Sequence, residues 1–233
     1  MTRFKRFFCL VLLLIILLGV GGCMFKKETP VLDQALNYMN EKYGEEFTFV
    51  SVTGATMGGN TSKMIVSCES LQDAEIIVSC TKNDDGSYTF RDNYMAHYYK
   101  SDLISAVESV VNEVYGKGKI FYTVSNDVLP DQYDINTQFE TYTSEQESMI
   151  DLIIVLDESS KIETKDVDLE EFRRLLYKRG LIISGRLYYS INGEYESIDE
   201  TYINAGGGRG RWNSLTVNFV MDRNGDFISV NWR

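Results

Sequence analysis

The spacing of apolar residues along this chain changes period several times, and each change marks an element. From Pro30 onward Leu32, Ala35, Leu36, Met39 and Tyr43 recur at helical spacing, and Gly44 closes the run. Thr29-Pro30 reads as the start of this helix, since proline at the first helical position forfeits no hydrogen bond. Phe47–Val52 reads as a strand, and Thr53–Ser62, with its glycines, as a loop. Lys63–Cys68, Glu75–Cys80 and Ser87–Arg91 are further strands, the last two joined by KNDDG, where Gly86 supplies a positive φ. A second helix is predicted over Asp102–Tyr115. Ser101 is its cap, Leu103, Val107, Val110 and Val114 its apolar stripe, and Gly116 its end. Lys119–Val124 is the next strand.

Residues 125–148, SNDVLPDQYDINTQFETYTSEQES, are polar and carry Pro130. They read as a linker or long connection enclosing at most a short helix, and they divide an N-terminal part, 30–124, from a C-terminal part, 149–233. Met149–Leu156 is a strongly apolar strand. Asp168-Leu169-Glu170-Glu171 has the form of a capping box with Asp168 as cap, and Leu169, Phe172, Leu175 and Leu176 share one face of the helix it opens. Arg173, Arg174, Lys178 and Arg179 fall toward the end of that helix and complement its dipole, so they read as helix stabilisers rather than an anion site. Gly180 ends it and Leu181–Ile191 follows as a strand. Leu215–Met221 and Phe227–Trp232 flank DRNGD, and Asn-Gly between alternating runs signals a hairpin. The pattern of helix, terminal glycine and strand occurs at KYGEEF, VYGKGKI and KRGLII. The expected fold class is α+β, antiparallel sheets with helices packed on one face. This order of elements resembles cystatin-like and PepSY-like layouts, a resemblance that implies two such subdomains.

The first residues change the picture. Arg3, Lys5 and Arg6 are followed by an apolar run from Phe7 to Val20 and then by Gly21, Gly22 and Cys23, the layout of a secretory signal. The run is short for a membrane-spanning helix, which needs about 20 residues. Val20-Gly21-Gly22-Cys23 resembles the lipobox of bacterial lipoproteins, with valine in place of the usual leucine. The resemblance covers residues 1–23. It implies a signal peptide over 1–22, cleavage before Cys23, diacylglycerol on the Cys23 sulfur and a lipidated tether over 23–29. Anchoring by two or more chains is stable, because each buried CH₂ adds roughly 0.8 kcal/mol and one chain is marginal. With EKYGEEF, residues 41–47, as its most familiar stretch, the body of the chain resembles uncharacterised lipoproteins of low-GC Gram-positive bacteria, a resemblance that implies no activity.

Removing residues 1–22 takes away three basic residues and no acid, so 23 basic residues fall to 20 against 34 acidic, a formal charge of −14. An acidic body argues against nucleic acid as a partner and against lying flat on anionic lipid. Cys9 leaves with the signal and Cys23 takes lipid. Cys68 and Cys80 remain as two separate, partly buried thiols, because a hairpin turning at Gln72 sets Cys68 opposite Ile76. A disulfide between them is the alternative.

Little in the sequence points to catalysis. His97 is the only histidine and sits among aromatics, the setting of a packing or surface residue. Gly206-Gly207-Gly208-Arg209-Gly210-Arg211 lacks the Lys-Ser/Thr of a phosphate loop and leads into a strand, so it reads as a mobile loop. Arg209, Arg211 and Trp212 are nonetheless the candidate contact residues for an acidic partner or a sugar. Asp222-x-Asn224-x-Asp226 opens like a calcium loop but departs from it afterwards, and a hairpin turn explains it. The acid pairs at 45–46, 84–85 and 170–171 are expected in so acidic a chain. No metal site, cofactor or catalytic residue is assigned. The sequence therefore leads to a lipoprotein on the extracytoplasmic face of the cell membrane, anchored at Cys23. Its body is expected to act without catalysis and to bind a protein or cell-envelope partner. A glycan- or small-ligand-binding lipoprotein is the alternative, and an envelope hydrolase comes last.

Overall fold

The computed structural model describes residues 30–54, 60–126, 130–145, 149–157, 160, 162–190, 193–204 and 215–233. Ala35–Arg233 form one compact unit. Its class is α+β, as expected. Helix α1, Val31–Tyr43, precedes four strands, β1 (Thr48–Thr53), β2 (Thr61–Ser67), β3 (Ile76–Lys82) and β4 (Tyr88–Asp92), which pair antiparallel in the order β1-β2-β3-β4. Helices α2 (Tyr94–Tyr98) and α3 (Lys100–Tyr115) lead to β5 (Gly118–Tyr122). After the short helix α4 (Phe139–Ser144) come β6 (Asp151–Leu156), α5 (Lys165–Lys178), β7 (Ser184–Tyr189), α6 (Glu200–Asn204), β8 (Thr216–Met221) and β9 (Phe227–Trp232). The second sheet has the order β5-β6-β7-β8-β9.

Strand register shows how that second sheet is covered. Residues opposite one another share a face, so Gly118, Ile120, Leu152, Ile154, Leu156, Leu187, Val217 and Phe219 form one continuous apolar surface. All are buried. Helices α3 and α5 lie on it. Val111 of α3 comes up against Gly118, and Phe172 of α5, fully buried, meets Phe219 edge to face with ring centroids 5.9 Å apart. On the opposite face Val155 is buried under Tyr195, Ile198 and Ile203.

One carboxylate fixes the first part of the fold. Asp92 ends β4, and 1 % of its side chain is exposed. Its Oδ2 accepts from the Tyr38 hydroxyl and the Lys42 ammonium, each at 2.7 Å, and its Oδ1 from the Tyr43 hydroxyl at 2.5 Å and the Tyr94 N–H at 3.0 Å. Tyr38, Lys42 and Tyr43 all belong to α1, at spacings that put them on one side of a helix. Tyr94 stacks on Tyr43 at 4.0 Å and donates to Glu45. Burial, with the Asp92 charge beside them, drives the Tyr38 and Tyr43 phenols far above their usual range.

Several expectations need correction. Pro30 stands one place ahead of α1, where its carbonyl accepts from Gln34. α3 begins at Lys100 with Tyr99 as its cap residue, so Ser101 lies inside the first turn. The helical turn of α2 supplies that start through a Tyr99 N–H to Met95 carbonyl bond. α5 begins at Lys165, not at a cap on Asp168. The Asp168 carboxylate takes the Thr164 hydroxyl at 2.5 Å instead of capping backbone. Of the stretch expected as strand over Leu181–Ile191, Ser184–Tyr189 is strand and Leu181–Ile183 is not, since the Ile182 N–H goes to the Thr143 carbonyl of α4; Ile191 lies outside the described residues. β7 is parallel to β6, since α5 carries the chain back before β7 begins. β5, placed before the 125–148 connection, pairs with β6 after it. Within that connection Tyr133, Tyr142 and Thr143 are buried, and the Tyr99 hydroxyl donates to the Thr137 carbonyl at 2.6 Å, which is the packing of a core segment rather than of a solvated linker.

The cysteines sit at opposite ends of the β2–β3 hairpin. Val66 is opposite Ile76 and Ser62 opposite Cys80, which centres the turn on Leu71 and leaves Cys68 beyond the last pair. Both thiols are free and buried, more deeply than expected, and burial pushes Cys80 up to about 11.

Three measurements check this account. Asp92→Ala leaves Lys42 uncompensated and lowers unfolding free energy by about 3–5 kcal/mol in urea titration. Tyr38 and Tyr43 stay neutral in the fold while unfolded tyrosines ionise near pH 10. Their contribution is thus complete below that pH and lost above it, so the urea midpoint falls from about pH 9 to about pH 11. Cys68 and Cys80 react with a thiol reagent slowly in the native chain and fully in denaturant without reductant, which a disulfide would prevent.

Candidate functional site

β5 is an edge strand, and a cleft that combines apolar walls with main-chain groups lies beside it. It encloses about 710 Å³, within the range of ligand sites. One wall is α3, which presents Ile104, Glu108 and Asn112 one turn apart along a single stripe. The other is the 3₁₀ turn Tyr195–Ser197 with Ile198, Asp199 and Glu200 after it. Gly116 through Phe121 run along the bottom.

Hydrogen-bond phase decides what β5 shows to the cleft. The Asp157 N–H donates to the Lys117 carbonyl at 3.0 Å, so these two residues form a bonded pair. Antiparallel ladders alternate bonded and non-bonded pairs. Lys119 and Phe121 therefore spend their main-chain groups on Val155 and Ile153, while Gly118 and Ile120 turn theirs away from β6. Leu156 has the same phase: it lies opposite Gly118 and gives its carbonyl to Ser190 on the side away from β5, at 3.3 Å. Among the described residues no backbone group pairs with the outward N–H of Gly118 or Ile120. Gly118 must be glycine at this place. A Cβ there would sit 2.6 Å from the Val111 side chain and 3.2 Å from the Val155 carbonyl.

Two lysines build the second wall. Lys119 Nζ donates to the carbonyls of Tyr195 at 2.8 Å, Glu196 at 3.2 Å and Ile198 at 2.9 Å, pinning the 3₁₀ turn to β5. Lys117 Nζ lies between Glu196 at 3.0 Å and Asp157 at 3.7 Å. The Glu196 bond is the main cause holding its pKa above the ordinary lysine value. Both ammonium groups lie close over the Tyr195 ring, at 4.6 and 4.7 Å from its centroid. Lys100 and Glu200 pair at 2.8 Å and join the two walls. Glu108 is exposed, and among the described residues no cation pairs with it.

Residues singled out from sequence fall elsewhere. Cys23 and the contact residues Arg209, Arg211 and Trp212 lie outside the described residues. In the chain, the latter three follow α6, whose first residue lines the cleft. His97 Nε2 meets the Glu75 carbonyl at 3.1 Å, and burial lowers its pKa. Asp222 Oδ1 accepts the N–H groups of Asn224 and Asp226, each at 2.9 Å, so the carboxylate that opens the calcium-like motif serves its own hairpin. Sequence reasoning passed over the cleft. A signal was present in Lys117-Gly118-Lys119, since lysines at the start of a strand mark a protected sheet edge.

Neither a scan against protein-family models nor a search of curated proteins matched this chain. Among solved structures, a DUF5037 family protein from Ruminococcus gnavus ATCC 29149 is similar over 85% of this chain and 94% of that one, with 13% identity and a TM-score of 0.46.

If Lys119 holds the second wall, Lys119→Met costs about 2 kcal/mol through three charge-assisted bonds and speeds proteolysis within residues 193–204. Lys117→Met, which removes a surface ion pair, has the smaller effect on both readouts.

Proposed function

We propose that this chain is a lipid-anchored module on the extracytoplasmic face of the cell membrane, which binds a protein or cell-envelope partner and performs no chemistry itself. The anchoring half rests on residues 3–23: a basic start, an apolar run and Val20-Gly21-Gly22-Cys23. Among the described residues no helix is long and apolar enough to cross a membrane. The diacylglycerol expected on Cys23 supplies the membrane affinity in this reading.

The binding half rests on one observation, the cleft along β5. Its apolar residues come from both walls and its main-chain groups face outward, while Lys117 and Lys119 are engaged in holding the wall itself. Such a groove offers contact area and hydrogen-bond complementarity, the two requirements of recognition. Stacking of a glycan on Tyr195 is the weaker reading, because two ammonium groups already lie over that ring.

Metabolic labelling with a fatty acid tests the anchor. The native chain takes up label and sediments with membranes, whereas Cys23→Ala takes up none and is released or retained as the unprocessed form. Equal labelling of both would overturn the anchoring half. Gentle extraction of the lipidated chain by a C-terminal tag, followed by mass spectrometry, tests the binding half. A stoichiometric partner lost on Lys119→Met supports it, and a partnerless chain counts against it.

A further inference from the structure

We propose that the cleft along β5 accepts an extended polypeptide segment as a sixth strand of the second sheet, one bearing a basic side chain for Glu108 beside apolar neighbours. This deepens the binding half of the reading above and rests on it. The outward groups of Gly118 and Ile120 offer a ladder of the kind used in strand addition. β1 and β9 are also edge strands of their sheets, but at β5 the edge lies in a trough with α3 on one side and the Tyr195–Ser197 turn on the other.

Spacing supports a strand as the occupant. Ile104, Glu108 and Asn112 succeed one another every four residues of α3, about 6 Å along the axis. Alternate residues of a strand are about 6.7 Å apart. A strand lying on the β5 edge would thus set successive α3-facing side chains against successive wall residues. One meets Ile104 and wants an apolar side chain; the next meets Glu108 and wants a cation. The residue between them faces Ile198 and Phe121 and is apolar. Charge agrees with this. Lys117 and Lys119 are committed to acids and carbonyls and Glu200 to Lys100, and Asp199 accepts the Tyr202 N–H at 2.7 Å, which leaves Glu108 as the lining acid that neither a cation nor a backbone donor meets among the described residues.

The test uses the full chain purified in detergent and a fluorescein-labelled threonine-rich peptide with Val-Val-Lys, or the reverse order, at its centre. Saturable binding is expected by anisotropy. N-methylation of alternate peptide residues is the discriminating control: one of the two alternating patterns removes the ladder donors and abolishes binding, and the other leaves it. Glu108→Lys weakens binding by about fivefold to tenfold with an unchanged melting temperature. In hydrogen exchange the amides of Gly118 and Ile120 gain protection on peptide addition, while those of Lys119 and Phe121 are protected already. Absence of binding by both peptides up to about 1 mM overturns the proposal. So does binding that is indifferent to N-methylation, or protection that appears at residues 48–53 or 227–232 instead. A dimer by light scattering with Gly118 and Ile120 protected before any peptide is added overturns it in favour of a second copy. A stoichiometric partner recovered from membranes together with no peptide binding would sink strand addition alone. Peptide binding by an unlabelled Cys23 chain would sink the anchor alone.

Discussion

Burying a carboxylate is tolerable only when its lone pairs find donors, and Asp92 meets that demand with four donors from two helices. Tyr38, Lys42 and Tyr43 reach it from α1, and the Tyr94 N–H reaches it from α2. The requirement fixes the rotation of α1 against the first sheet, because only one face of the helix carries the three donors. It also fixes where the chain leaves β4. Asn93 continues the sheet by other means, its side-chain oxygen accepting the Ile77 N–H at 2.7 Å. α2 then turns directly into α3 through the buried Tyr99. The position of the α3 wall therefore descends from the placement of one acid on another element.

The second sheet solves a different difficulty. Its first strand is packed by α3 on one face and by the 195–203 segment on the other, yet in the sheet it remains an edge. Proteins ordinarily blunt such edges with charge, twist or cover. Here the lysines flanking Gly118 give that charge but also act as braces, so the edge is protected from general aggregation and remains reachable between two walls. Gly118 lets α3 approach closely enough to make the first wall, and Lys119 holds the second. Stability and accessibility thus come from the same few residues.

Elements with a clear period or a strong turn were legible in sequence. α1 and the stripe of α3 follow from apolar spacing, and the β8–β9 hairpin from Asn224-Gly225. Helix starts were not. At Asp168 and Ser101 the residue type suited a cap, yet Ile162–Thr164 and α2 had already begun the helical path upstream. The segment over 125–148 read as a linker or long connection because its polar residues outnumber the apolar ones. Tyr133 and Tyr142 nevertheless bury their rings together, 5.0 Å apart. The cleft was illegible because it joins residues near 104, 118 and 198 that no local pattern links.

By itself the sequence determined the α+β class, the acidic body, most of the strands and helices, and the expectation of a lipid on Cys23. Each depends on residues close together in the chain, where period, turn chemistry and charge act directly. Only tertiary structure decided that β5 joins β6 rather than the first sheet, that β6 and β7 run parallel, and that Gly118 and Ile120 face outward. Strand partnership is settled by competition among distant apolar faces for burial, and the phase of a ladder by a single register. Neither quantity is written in any one segment.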